Sequence, residues 1–241
     1  MKIALCLSGQ PRFFERGYEY IKKNIIDPNK DMDIFIHLWF DESEIGNEGF
    51  KNTSDILIRD GYKGDFIMPN IVEKIKSLYN PKKIGYEKQY DCNVFIRRDY
   101  SSRGNMTNPF ATFSQYYSAH QCVELKKEYE NDTDSKYTTI IKCRFDIEID
   151  RPIDISSYRL DVINFHNDVN SDKDLVFNDG FFFGDDKLMT NTLEKCYLNF
   201  DEYWVNEDII WDNHYLIGKF IELNNIPYVK SNFGNIKWIR R

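Results

Sequence analysis

Short apolar runs separated by segments of helical spacing make up most of the chain. Lys2–Leu7 (KIALCL) is a compact apolar run that ends at Ser8-Gly9-Gln10-Pro11-Arg12. Phe13, Tyr18, Ile21 and Ile25 then recur at helical spacing as far as Asp27-Pro28. Asp33–Phe40 (DIFIHLWF) is nearly all apolar, as strands covered on both faces are. Two such strands joined by one helix predict a right-handed parallel crossover. Asn70–Tyr79 reads as a helix stopped by Asn80-Pro81, and Lys82–Lys88 as a third strand. Phe110–Glu130 is the strongest helix, with Tyr116, Ala119, Val123 and Tyr129 as its apolar stripe. Strands follow at Arg159–Phe165, within Leu175–Gly184 and at Tyr228–Asn232, with helices at Asp186–Phe200 and Val205–Leu223 and a tail from Asn235. The pattern predicts an α/β fold with a mixed, mainly parallel central sheet flanked by helices.

Thr138–Pro152 (TTIIKCRFDIEIDRP) stands at the centre of this order. Its apolar start reads as a buried strand, and the rest alternates strictly. Ile141, Cys143, Phe145, Ile147 and Ile149 fall on one face, and Lys142, Arg144, Asp146, Glu148 and Asp150 on the other. Three carboxylates behind two cations suit a divalent ion beside a phosphate. The same pattern is that of a half-buried strand with a solvated charged face.

Composition narrows the class. A chain of 241 residues with 41% hydrophobic and 16% aromatic residues is long enough for one sizeable core. Its net charge of -7 argues against non-specific nucleic-acid binding. The five cysteines form no Cys-x-x-Cys pair and read as small core residues of a reducing compartment. The apolar start is too short for a signal peptide, and no run reaches membrane-spanning length. The expected location is the cytoplasm, free or peripheral to a membrane.

Three further stretches carry candidate chemistry, each beside a plainer reading. A strand, a small-residue turn at Ser8-Gly9-Gln10 and a helix start with Arg12 build an anion site, or an ordinary strand-to-helix turn. Asn178-Asp179-Gly180 breaks a strand just before three phenylalanines, which aims Asp179 into a cleft or simply marks a turn. Glu207 opens the last helix as a cap, and His214, seven residues on, shares its face. His37 reads as a satisfied core histidine, and the long stretch with Arg97, Arg98 and Arg103 as a loop over a phosphate or a solvated one.

Taken in order, these segments resemble small glycosyltransferases of the GT-A fold encoded by bacterial polysaccharide loci and large DNA viruses. The pieces are Ser8-Gly9-Gln10-Pro11-Arg12, Asp33–Trp39, Tyr116–Glu130, Ile141–Asp146, Asn178–Gly184 and the helix start at Glu207. The resemblance implies one domain with a Rossmann-like nucleotide-sugar half (1–150) and an acceptor half (151–241). It also implies transfer of a sugar from a nucleoside diphosphate to a hydroxyl of a glycan or glycoconjugate, in polysaccharide biosynthesis. Ser8, Gly9, Gln10, Arg12, Arg144 and His214 would bind substrate, and Asp146 with Glu148 would hold Mn²⁺ or Mg²⁺. Asp179, or else Glu207, would remove the acceptor proton. The chain departs from the family's Asp-x-Asp motif, reading Arg144-x-Asp146 or, one step on, Asp146-x-Glu148. In the first reading Arg144 itself neutralises phosphate charge. A non-catalytic nucleotide- or glycan-binding relative and a nucleotidyltransferase are the rival classes.

Overall fold

The structure is a computed structural model that describes residues 1–45, 68–89, 109–167, 177–199 and 213–239. Its centre is a seven-stranded sheet in the order β3-β2-β1-β4-β7-β6-β8, with β5 and β9 forming a separate ribbon. The strands are β1 (Ile3–Gly9), β2 (Met32–Trp39), β3 (Lys83–Glu87), β4 (Thr139–Cys143), β5 (Ile147–Ile149), β6 (Ile163–His166), β7 (Phe181–Asp185), β8 (Tyr228–Ser231) and β9 (Ile236–Trp238). The helices are α1 (Phe14–Ile21), α2 (Ile71–Tyr79), α3 (Pro109–Thr133), α4 (Asp186–Leu198) and α5 (Asn213–Leu223). β1 pairs in parallel with β2 and β4, β2 with β3, and β6 with β8; β7 runs antiparallel to β4 and β6. This is the mixed, mainly parallel α/β sheet that the sequence predicts.

The alternation of strand side chains decides which helix covers which face. Ile3, Leu5, Leu7, Ile34, Ile36, Leu38, Phe181 and Phe183 pack with Phe14, Ile21, Ile71 and Ile75 of α1 and α2. Ala4, Cys6, Phe35, Ile140 and Phe182 face Tyr116, Ala119, Val123, Leu193 and Phe220 of α3, α4 and α5. Both faces of the central strands are therefore dry, which is why they read as unbroken apolar runs. Burial of about 1.5–3 kcal/mol per large apolar side chain is the main force holding the layers. Asn80 ends α2 in the left-handed conformation (φ 44°), a role asparagine fills with little strain.

The charged alternation of residues 138–150 is where pattern and structure part. β4 ends at Cys143, residues 144–146 bend, and β5 joins β9 in the second sheet. Arg144 N donates to Gly180 O (3.1 Å), and Ile239 N to Asp146 O (2.9 Å), so the backbone changes partners at this point. The apolar face nevertheless stays buried throughout, from Ile141 to Ile149. The stretch expected as a tail contributes β9. Among the described residues no helix is long and apolar enough to cross a membrane.

Candidate functional site

Chain direction places the crevice. From β1 the chain passes through α1 to β2 on one side, while β4, on the other side of β1, is reached through α3 on the opposite face. Open α/β sheets bind ligands at such a switch point, outside the carboxyl ends of the strands. β7 is antiparallel to β4, so its start lies at the same edge.

Three backbone turns deliver side chains there. The first follows β1. Gly9 has φ 111°, and nothing among the described residues lies within 4 Å of where its Cβ would be. That conformation requires glycine and leaves the backbone open to close approach. Arg12 N donates back to Gln10 O (2.8 Å), and the Arg12 guanidinium reaches Asp146 Oδ2 at 3.2 Å. The second turn follows β4. Arg144 makes a two-pronged contact with Asp146, Nε to Oδ1 and Nη2 to Oδ2, both 2.8 Å. Its guanidinium also lies 4.6 Å from the Trp238 ring centroid, a cation–π contact.

The third turn precedes β7. Gly180 N donates to Asn178 Oδ1 (3.0 Å), an Asx turn that presents Asp179 inward, 2% exposed. A Cβ at Gly180 would overlap the Trp238 ring, so only glycine fits here. Asp179 Oδ2 accepts from Gln115 Nε2 of α3, and Lys142 Nζ donates to the Asp179 carbonyl from below. His214 Nδ1, on α5, lies 3.0 Å from Asp179 Oδ1 and 2.8 Å from Phe177 O. Both neighbours are acceptors, so Nδ1 carries a proton, and in the neutral ring the basic nitrogen is Nε2.

Electrostatics tie these groups together. Burial pushes the Asp146 carboxyl upward, but Arg144 and Arg12 outweigh it and leave it below the usual carboxylate range. Asp179 is likewise raised by burial, yet His214, Lys142 and Arg144 pull it well below that range. Burial drives the Lys142 ammonium down to about 8 against the attraction of Asp179. Asp179 and Asp146 thus stay ionised because cations surround them.

A divalent metal does not fit this donor set. Both oxygens of Asp146 already accept from guanidinium, and Glu148 Oε2 faces Arg16 at 3.5 Å. Among the described residues, Asp146 lies between the guanidiniums of Arg12 and Arg144 and Glu148 faces that of Arg16, an arrangement that favours an anion over Mg²⁺ or Mn²⁺. Asp150, the last acid of the row, is bonded to Asn235 at 2.9 and 2.6 Å. Among the described residues, the group of three with metal-binding side chains is His120, Glu124 and Glu194, none of which bonds Asp146 or Asp179, and Lys127 bonds both glutamates.

The turns bring together Gly9, Arg12, Arg144, Asp146, Asp179 and His214 of the expected site residues. Ser8 is buried within β1 opposite His37. Gln10 Nε2 donates to Gln89 Oε1 (2.7 Å), and Gln89 donates to Ser114 Oγ (2.7 Å), tying the β1 turn to α3. Glu207, Arg97, Arg98 and Arg103 lie outside the described residues. His37 is satisfied as expected, by Ser118 Oγ (2.8 Å) and Glu87 Oε1 (3.1 Å). Sequence reasoning missed Gln115, Arg16 and the role of Trp238. Gln115 lies on the predicted helix but off its apolar stripe, and that position was its one available signal.

No protein-family model matches the chain, and no curated protein matches it in sequence. Among solved structures it is similar to the apo form of the glycosyltransferase GlyE of Streptococcus pneumoniae TIGR4, with a TM-score of 0.46 and 10% identity. The match covers 95% of this chain and 45% of that one, so the chain spans less than half the length of that protein.

Proposed function

We propose that the protein is a glycosyltransferase that moves a sugar from a nucleoside-diphosphate sugar to a hydroxyl of a glycan or glycoconjugate. The observation that carries this reading is the convergence, at one switch-point crevice, of an anion-binding side and a proton-accepting side. Arg12 and Arg144 make the first, and the joined pair Asp179–His214 makes the second. Sugar transfer needs both, because the diphosphate leaves with developing negative charge while the attacking hydroxyl loses a proton.

In this reading the guanidiniums stabilise the leaving diphosphate, and Gly9 lets it approach the β1 turn. The acceptor proton goes to His214 Nε2. Asp179 is too firmly held in its ionised form to be a strong base, and it serves to fix the ring tautomer and to stabilise the imidazolium that forms. The arrangement is a poor nucleotidyltransferase site, since that chemistry needs open carboxylates for two metals, and these carboxylates are held by Arg12, Arg16 and Arg144.

The test is thermal-shift screening with UDP-, GDP-, CMP- and dTDP-sugars, followed by assay of nucleoside diphosphate release in the presence of glycan acceptors. One nucleotide class is expected to raise Tm by mass action and to support release, with His214→Gln lowering release at least tenfold while the donor shift persists. Binding without release would assign the chain to the non-catalytic class, and no shift with any sugar nucleotide would overturn the proposal.

A further inference from the structure

We infer that the phosphate-binding side of the crevice works without a divalent cation, with Arg12 and Arg144 as the diphosphate ligands and Asp146 as a positioning residue that aims them. The inference rests on the nucleotide-sugar reading of the crevice and deepens it. It follows from how Asp146 is used. A metal-binding aspartate keeps at least one oxygen open to the ion, with neighbours that leave net negative charge. Asp146 is 5% exposed, and its two oxygens accept three guanidinium contacts. A dication at the same oxygens would sit beside two fixed positive charges and be repelled by both. A diphosphate in the same place meets two planar forks whose geometry matches its oxygens.

The rest of the crevice holds this arrangement in register. Trp238 stacks against Arg144, and the Gly180 backbone binds the Arg144 amide at 3.1 Å, so the guanidinium is gripped on its face and at its root. Arg144 Nη1 has no partner among the described residues, which leaves a donor of the fork for ligand. Glu148 repeats the device one strand step further on, where Arg16 leans on it. The carboxylates that pattern alone assigns to a metal are counter-charges that keep arginines ordered between turnovers.

The test uses inorganic pyrophosphate as the probe, titrated into the full chain by calorimetry in excess EDTA and again with Mn²⁺, with orthophosphate as the comparison anion. Binding in EDTA, weakened about tenfold by either Arg12→Gln or Arg144→Gln, is expected, which is the size of one charge-assisted hydrogen bond. Arg144→Lys is expected not to restore it, because a point charge cannot replace the fork. Asp146→Asn removes aim but not positive charge, so the preference for pyrophosphate over orthophosphate is expected to fall about tenfold with overall anion binding retained. A purely structural role for Asp146 would leave that preference unchanged and would overturn its assignment as a positioning residue. Pyrophosphate binding that needs Mn²⁺ and disappears in Asp146→Asn would overturn the inference and make Asp146 a metal ligand. If Asp146→Asn does not fold, the two arginine variants decide in EDTA. Pyrophosphate binding in EDTA without recognition of any sugar nucleotide would retain the clamp and remove the donor reading. Sugar-nucleotide binding only with metal would do the reverse.

Discussion

The two ends of β4 carry clusters built from similar side chains, and they do opposite work. At its amino end, Lys126 of α3 is 1% exposed and bonds Asp186 and Glu130, the latter at 3.2 Å. Glu130 also accepts the Tyr137 amide at 3.1 Å, and Asp186 N donates to Thr138 O, so backbone groups close the cluster. One cation against two carboxylates leaves it negative, with the cation itself fully covered: it clamps α3 and α4 to the start of β4. At the carboxyl end, among the described residues, the guanidiniums of Arg12, Arg16 and Arg144 stand against Asp146 and Glu148, and Arg144 keeps part of its fork exposed. The difference teaches that burial of charge does not mark a functional site. Which charge is covered, and whether a donor remains open, does.

The largest expected effect breaks the amino-terminal cluster. Lys126→Met strands two carboxylates and is expected to cost about 3–5 kcal/mol in denaturant unfolding. Its pyrophosphate affinity, where the protein still folds, is expected to change less than about twofold. A large affinity loss with unchanged stability would erase the distinction between the two ends. Next in size is Gly17→Ala. A Cβ on Gly17 would overlap the Phe145 carbonyl oxygen, where α1 presses on the bend after β4. Overpacking of this kind costs about 1–3 kcal/mol, and by shifting α1 it is expected to weaken pyrophosphate binding as well, so stability and affinity should fall together here and separate in Lys126→Met.

The smallest effect sharpens the comparison through pH. Asp146 and Asp179 sit below the ordinary carboxylate value of 3.8, so their contribution is fully present above it and is lost as pH falls below it. Asp186 is raised by burial, against the pull of Lys126, so the native state takes up its proton first and acidification from neutral pH adds stability there. Unfolding free energies measured from pH 6 to pH 3 are therefore expected to fall less steeply in Asp179→Asn and more steeply in Asp186→Asn than in the natural protein. Parallel curves would mean that the two ends do not differ in their proton linkage.

Much of the fold was legible because it depends on local pattern. The apolar runs at Ile3–Leu7 and Ile34–Phe40 mark buried parallel strands, the stripe Tyr116-Ala119-Val123 marks the face of α3, and Asn80 marks a helix end. Gly9, Arg12 and Asp179 were also legible, since small-residue turns after and before apolar strands are where backbone opens toward a ligand. The partner exchange at Arg144-Phe145-Asp146 was not. Its apolar residues stay buried on both sides of the bend, so the alternation reads the same for one strand as for two.

What the sequence determined by itself is the order of strands and helices and the residue types at the crevice. Hydrophobic periodicity and turn chemistry are short-range properties, written within a few residues of where they act. Only the tertiary structure decided what those residues do. Arg12 and Asp146 are far apart in sequence yet 3.2 Å apart in space; Trp238 from the last strand supports Arg144; His214 and Gln115 from two different helices hold Asp179. An aspartate next to an open edge would ligate a cation, and the same aspartate between two guanidiniums is spent on them. That choice depends on distances between segments that the local pattern does not encode.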